Sequence, residues 1–343
     1  MRNSIQNIYN AWCDDKEFSG VFSVTGPDGV IFQQAGGYRN KAEKLPNEVD
    51  TAFGIASGTK LFTGLAVCKL IGEGKLSPED KLWDLLPYDL GQIDKRVTVH
   101  HLLTHTSGVG DYIDEEAEDS EEQLAALNNK YPCYLWKRLE YYLQMITHLP
   151  PKFEPGVRYG YSNAGYILLG LAVEAVSDMP YQQFVQENII TPCELQRTGF
   201  YPMDSLPGNT AFGYICDETT KEWRTNIFDM PIIGGSDGGL FTCAQDLDKL
   251  WRAIFANEIL SENMTQTFLK QHVVMDEEDG ESYGLGVYSL VDGDKGVYYA
   301  VGGDAGVAFF TAYFPQTKTV ASALANTNTG IYSLISDLFD VLG

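Results

Sequence analysis

A chain of 343 residues can bury one large core or two joined subdomains without needing an oligomer to fold. Its 47 acidic residues outnumber 24 basic ones, and with a formal net charge of −23 and no local Lys/Arg cluster, nucleic acid is disfavoured as a partner. A hydrophobic fraction of 44 % with 14 scattered prolines speaks against long disorder, and no apolar run is long enough to span a bilayer.

The opening segment, MRNSIQNIYNAWCDD, lacks the basic and apolar regions of a secretory signal, so a soluble, cytoplasmic protein with no membrane partner is expected. The six cysteines (Cys13, Cys68, Cys133, Cys193, Cys216 and Cys243) are scattered without CxxC pairs and are expected as reduced thiols. After a first helix, VFSVTGPDGVIFQQAGGY predicts two strands around the turn Gly26-Pro27-Asp28-Gly29. From Ser57 onward, Leu61, Leu65 and Cys68, flanked by Phe62, Ala66 and Leu70, keep helical spacing until Gly72 and Gly74. That helix should be buried on most sides.

The middle, about 75 to 235, mixes helical patterns such as YILLGLAVEAVS with Pro/Gly-rich loops such as LPPKFEPGVRYGYSN. The last hundred residues carry the strand-like runs YGLGVYSLV, GVYYAVGG, VAFFTAYFP and TVASALANT, closed by the helix IYSLISDLFDVLG. The fold class that follows is α/β of the α+β type: an antiparallel sheet built from both chain ends and flanked by helices, with an inserted, mainly helical subdomain. A single domain over 1–343 is expected, with about 1–56 and 240–343 carrying the sheet, 57–239 the helical part, and a cleft between them.

Ser57 and Lys60 share a helix face at a spacing of three. A serine hydroxyl is a poor nucleophile near neutral pH and needs a base within hydrogen-bond reach. A lysine serves if burial and neighbouring charges lower its pKa, and the first helical turn favours a developing oxyanion. The pattern S-x-x-K alone is weak, and a surface Ser/Lys pair remains its ordinary alternative.

The flanking residues narrow the choice. FGIASGTKLFTG, followed by LFTGLAVCKLIGEGKLSPEDKL, resembles the nucleophile helix of the serine β-lactamase and penicillin-binding protein superfamily, in particular its class C β-lactamase-like branch. VTVHHLLTHTSGVGDY is similar to that branch's L-L-T-H-T-S-G segment, and PGVRYGYSNAGYILLG to its Y-x-N element at Tyr161-Ser162-Asn163. The resemblance implies an acyl-enzyme hydrolase in which Ser57 attacks, Tyr161 with Lys60 handles its proton, and Asn163 holds Lys60 or a substrate amide. Taken by themselves, Tyr161 and Asn163 read equally well as a packing ring and a helix cap.

The family's third element, usually Lys-Thr-Gly or His-x-Gly on a cleft strand, falls best on Ala300-Val301-Gly302, followed by Gly303-Asp304-Ala305-Gly306. The cationic or imidazole residue is absent, which weakens recognition of a substrate carboxylate. The N–H groups of Gly303 and Ser57 are implied as the oxyanion hole, with Gly302 allowing close backbone approach.

Other signals compete with this assignment. Gly234-Gly235-Ser236-Asp237-Gly238 matches G-x-S-x-G, yet no HGGG-type segment or βαβ series accompanies it, so a Gly-rich loop at the cleft is expected. His101 and His105, with His100 adjacent, have metal-ligand spacing without an HExxH, and no metal or organic cofactor is expected. The acidic stretches DYIDEEAEDSEEQ and DEEDGES read as solvated surface or as a rim selecting cationic substrates. The expectation is therefore a serine hydrolase acting on a small-molecule ester, amide or D-amino acid peptide. A DD-peptidase or β-lactamase, and a non-catalytic acyl-ligand sensor, are the alternatives; oligomeric state is left open.

Overall fold

The computed structural model describes residues 1–13, 18–113, 126–217, 219–276, 280–292, 295–328, 331 and 333–342. Most of the acidic run after Ile113, the centre of DEEDGES and the side chain of Cys13 lie outside them. Helix α1 (Arg2–Cys13) precedes the hairpin β1 (Gly20–Gly26) and β2 (Gly29–Gly36). Gly29, at a φ of 119°, closes the hairpin turn in a conformation L side chains rarely adopt.

Helix α2 (Thr59–Gly72), the short α3 (Val99–Leu103), α4 (Asn163–Ser177) and α5 (Ala244–Phe255) follow. The other strands of the main sheet are β3 (Val273–Asp276), β4 (Glu281–Tyr283), β5 (Tyr288–Asp292), β6 (Lys295–Asp304), β7 (Val307–Phe314) and β8 (Thr319–Ala325), before α6 (Ser333–Leu342). With β1 and β2 they form one antiparallel eight-stranded sheet in the order β2-β1-β8-β7-β6-β5-β4-β3, and further short strands pair in two-stranded sheets outside it. The expected closure of the sheet by both chain ends is seen in the pairing of β1 with β8, from Gly20 opposite Ala325 to Thr25 opposite Val320.

Strands β7 and β8 are buried along their whole length because both faces are covered. On one face Phe22, Phe310, Phe314 and Ala323 pack against Ile5 of α1 and Leu334 and Leu338 of α6. On the other, Val21, Phe309, Val320 and Leu324 join a core shared with α2, α4 and α5. A polar contact crosses that second face, where Trp251 Nε1 donates to Thr311 Oγ1 at 3.0 Å. Between α2 and α5 the chain is mostly short helical turns and loops around α4, a wall of the cleft rather than a bundle of long helices.

Helix α2 is buried on almost every side, as its apolar spacing predicts. The run YGLGVYSLV is not one strand but a hairpin: β4 ends at Tyr283, β5 begins at Tyr288, and the two pair antiparallel with Tyr283 opposite Tyr288. In that gap Leu285 and Gly286, the latter at a φ of 108°, lie on α2. A Cβ on Gly64 would stand 2.0 Å from the Leu285 carbonyl oxygen. The described cysteines Cys68, Cys133, Cys193, Cys216 and Cys243 are free thiols. Among the described residues no helix is long and apolar enough to cross a membrane.

Two glycines of α2 should respond to alanine with opposite sign. Gly64→Ala is expected to destabilise the fold by about 1–3 kcal/mol through overpacking against backbone. Gly72→Ala, whose added carbon would find nothing nearer than Met264 Cγ at 3.9 Å, should be neutral or stabilising by up to about 1 kcal/mol. Urea unfolding of the two variants beside the wild type measures both.

Candidate active site

Ser57 lies in a 3-10 turn, Ala56–Gly58, immediately before α2 rather than inside its first turn. The turn is strained, since Ala56 holds a φ of 45°, a left-handed conformation for a residue with a Cβ. Several bonds hold it there. Ile55 N donates to Leu240 O at 2.9 Å and Gly58 N to Ile55 O at 2.8 Å. Thr59 Oγ1 donates to Ala56 O at 2.7 Å and accepts from Leu240 N at 3.0 Å.

Lys60, 3 % exposed, points back along α2 at the turn. An ammonium has three N–H groups, and three oxygens stand around this one: Ser57 Oγ at 2.9 Å, Asn163 Oδ1 at 2.7 Å and the Asp237 carbonyl at 2.8 Å. Tyr161 brings its hydroxyl 2.8 Å from Ser57 Oγ on the other side, with its ring centroid 4.8 Å from the ammonium. The structure thus brings Ser57, Lys60, Tyr161 and Asn163 into one network. Asn163 is the first residue of α4 and holds the lysine; the cap is Ser162, whose Oγ accepts from Gly165 N at 3.0 Å.

Sequence reasoning missed the residues that hold these partners. Asp111 accepts from the backbone N–H groups of Asn163, at 2.6 Å, and Ala164, at 3.1 Å, fixing the start of α4. The neighbouring Tyr112 hydroxyl donates to the Asp237 carboxylate, whose residue supplies the lysine's third oxygen. Two consecutive residues therefore steady two of Lys60's three acceptors. The available signal was that Gly110-Asp111-Tyr112 continues the LLTHTSG segment directly, yet the acidic run beyond made Asp111 look like solvated surface.

His105 adopts a φ of 56° and is buried, its ring 4.5 Å from that of Tyr161, 4.9 Å from Tyr166 and 4.8 Å from Tyr283. Its Nδ1 accepts from Ser162 N at 3.1 Å. Burial first, and then the charge of Lys60, hold its pKa well below the ordinary histidine range, so a neutral ring buttresses Tyr161. His101 instead closes a capping box with Thr98. Ser236 is fully buried, its Oγ pressed against Gly170 of α4, and its carbonyl accepts from Thr63 Oγ1 at 2.6 Å. The G-x-S-x-G segment is a Gly-rich wall of the cleft.

Strand β6 supplies the opposite wall. Its pairing with β5 stops at Tyr299 opposite Tyr288, while pairing with β7 continues to Asp304 opposite Val307. Over that extension the Ser57 turn sits on Gly302, where a Cβ would stand 2.1 Å from Ile55 O and 3.0 Å from Ser57 N. Only a glycine fits. A cavity of about 350 Å³ opens in front of Ser57, lined by Tyr112, Trp136, Asn163, Gly303 and Asp304 among others. Among the described residues no group of three or more His, Cys, Asp or Glu side chains is arranged to hold a metal.

Enclosure pushes the half-buried Asp111 carboxyl up to about 7, against the pull of the Ala164 and Asn163 N–H groups and of Lys152 and Lys60. A carboxyl that binds its proton more tightly when folded makes stability fall as pH rises from its unfolded value, near 3.9, to about 7. Asp111→Asn removes that titration. The unfolding free energy of wild type minus that of Asp111→Asn should therefore decline between about pH 4 and 7 and be flat above. Urea titrations across that range check it, and a difference that rises or stays level contradicts the assignment.

The family model described as Beta-lactamase matches residues 10–338. The chain is similar to the penicillin binding protein from Bacillus halodurans, whose crystal structure superposes with a TM-score of 0.89 at 39 % identity, covering 98 % of this chain and 99 % of that one. It is also similar to the octameric penicillin-binding protein homologue from Pyrococcus abyssi, with a TM-score of 0.81 at 25 % identity, covering 98 % of this chain and 77 % of that one. Penicillin-binding protein 4* of Bacillus subtilis (strain 168) is 27 % identical over 296 residues, 83 % of this chain. The chain spans 62 % of that relative's length, and less than two thirds of other curated relatives it matches. With the family match running over nearly its whole length, the chain belongs to the Beta-lactamase family.

Proposed function

We propose that this protein is a serine hydrolase working through an acyl-enzyme on a small ester, amide or D-amino acid peptide, with Ser57 as nucleophile. The observation that carries the proposal is the pair of contacts on Ser57 Oγ, 2.9 Å from Lys60 Nζ and 2.8 Å from the Tyr161 hydroxyl. Asn163 Oδ1 and the Asp237 carbonyl can only accept, so Lys60 donates to both, and as an ammonium it donates to Ser57 as well. Tyr161 is then the group placed to take the serine proton, its phenolate favoured by the neighbouring cation.

In this mechanism Ser57 Oγ attacks the acyl carbonyl as its proton passes to the Tyr161 oxygen. The N–H groups of Ser57 and Gly303 receive the oxyanion of the tetrahedral intermediate, and the closeness of β6 to the Ser57 turn supports that pairing. Collapse of the intermediate breaks the bond to the leaving group, which takes the proton from Tyr161. Water then enters, gives a proton to Tyr161, attacks the acyl carbon and releases the acid, restoring the Ser57 hydroxyl. No step calls for a metal or an organic cofactor. The same proposal treats 1–343 as one catalytic domain, with Ser57 and Tyr161 supplied by 57–239 and the glycines of β6 by 240–343.

A second reading, a penicillin-binding protein or β-lactamase, is favoured by the names of the relatives. The absence of Lys or His at Ala300 and Val301 weighs against strong recognition of a β-lactam carboxylate. Wild type and Ser57→Ala, given a chromogenic ester, a chromogenic cephalosporin and a fluorescent penicillin, separate these readings. We expect Ser57→Ala to lower ester kcat by at least about 10³-fold and Tyr161→Phe by about 10²-fold or more, with a transient acyl adduct on wild type only. A stable Ser57-dependent penicillin adduct without turnover would favour a binding or sensor role, and full ester activity in Ser57→Ala would end the proposal.

A further inference from the structure

Of the three histidines with metal-ligand spacing, two have local structural work. His101 accepts from Thr98 N through Nδ1 at 3.2 Å inside its capping box, and His105 is buried behind Tyr161. His100 meets a partner that sequence spacing does not show, His272, 172 residues farther along the chain. The two rings stand 5.4 Å apart at an angle of 63°, with His100 Nε2 3.3 Å from His272 Nδ1. Both are partly exposed, so solvent and ions reach them.

That separation lies beyond the usual span of an N–H hydrogen bond, about 2.7–3.2 Å. It matches two nitrogens held at about 2.0–2.1 Å by one tetrahedral ion, which stand about 3.3 Å apart. The tautomer of His272 is set for such a role. A carbonyl can only accept, so His272 Nε2 donates to Thr267 O at 2.8 Å, which leaves the lone pair of Nδ1 facing His100. A backbone carbonyl behind the outer ring nitrogen is the common support of a metal-ligating histidine. Burial first, and then His272 and His101, lower the pKa of His100, so its ring is neutral near pH 7. A carboxylate stands beside the pair. His100 N donates to Pro78 O at 2.9 Å and Val99 N to Asp80 O at 3.0 Å, which holds Glu79 against the start of α3. Glu79 is exposed, and its charge acts on both His100 and His101.

We propose that His100 and His272 form a two-histidine site for a borderline divalent cation such as zinc, nickel or copper, with Glu79, brought in by rotation of its exposed side chain, and water completing the shell. Imidazole nitrogens suit these ions, whereas magnesium and calcium take oxygen ligands. The ion replaces the proton shared by the two rings. His272 Nδ1 gives its lone pair directly, and the His100 proton moves through solvent from Nε2 to Nδ1, so no proton is released overall and nothing is oxidised or reduced. The ion ties α3 to the far edge of the sheet, because His272 leads into β3 and its N–H donates to Tyr283 O of β4 at 2.9 Å. None of these residues lines the Ser57 cavity, and the site stands whether or not the hydrolase proposal does.

Calorimetric titration of the untagged, chelator-treated protein with zinc, nickel, copper and magnesium chlorides tests the site. One equivalent of each of the first three should bind at neutral pH and raise the thermal midpoint, and magnesium should not compete. His100→Gln and His272→Gln should each weaken binding by about tenfold or more and Glu79→Gln by less, while substitution of the exposed His148 by Gln leaves it unchanged. Copper-loaded wild type gives a readout that needs no variant: its electron paramagnetic resonance spectrum should carry the splitting of two imidazole nitrogens. Fewer than two nitrogens, no saturable one-to-one binding, effective competition by magnesium, or unchanged affinity in a folded His100→Gln or His272→Gln overturns the proposal.

Discussion

The structure depends on one buried cation held by three oxygens. Desolvating an ammonium is expensive unless each N–H finds an acceptor in good geometry, and at Lys60 those acceptors come from three separated parts of the chain. Ser57 precedes α2, Asn163 opens α4, and Asp237 sits in the glycine-rich wall. The requirement that stabilises the lysine is also what brings serine, tyrosine and asparagine into register.

That cation has a supporting layer, and its economy is notable. Asp111 fixes the N-terminus of α4, while Tyr112 ties down the residue whose carbonyl meets the lysine. His105, neutral and enclosed by tyrosines, keeps Tyr161 at the serine. On the other side the sheet supplies shape instead of charge. Gly58 meets Phe309, Gly64 meets the Leu285 carbonyl and Gly302 meets Ile55, so the Ser57 turn is pressed onto the sheet wherever a side chain has been omitted. The strain at Ala56 persists because Thr59, Leu240 and Gly302 leave the turn no other course.

Substrate choice is a separate matter from this machinery. The family's usual cationic third element is replaced by Ala300-Val301-Gly302, and the cavity beside it is lined by carboxylates. The hydrogen-bond network around Ser57 lies on the helical side of the cleft, whereas β6 forms the opposite wall, so the two can vary separately.

Much of this was legible in the sequence wherever the signal was local. Apolar spacing after Ser57 announced a buried helix, strand-like runs between turns at both ends announced a sheet, and a spacing of three put Lys60 beside Ser57. Tyr161 and Asn163 were nameable only through family resemblance, since a tyrosine and an asparagine before a helix have ordinary structural uses. What the tertiary structure alone decided were the contacts between distant segments: Asp111 on α4, Tyr112 on Asp237, the β4–β5 turn packed on α2, and Asp304 lining the cavity. The physical reason is that local periodicity and capping depend on a few neighbouring residues, whereas the environment of a carboxylate depends on which segments fold over it. An aspartate in an acidic loop and an aspartate holding a helix terminus look the same until the chain closes around one of them.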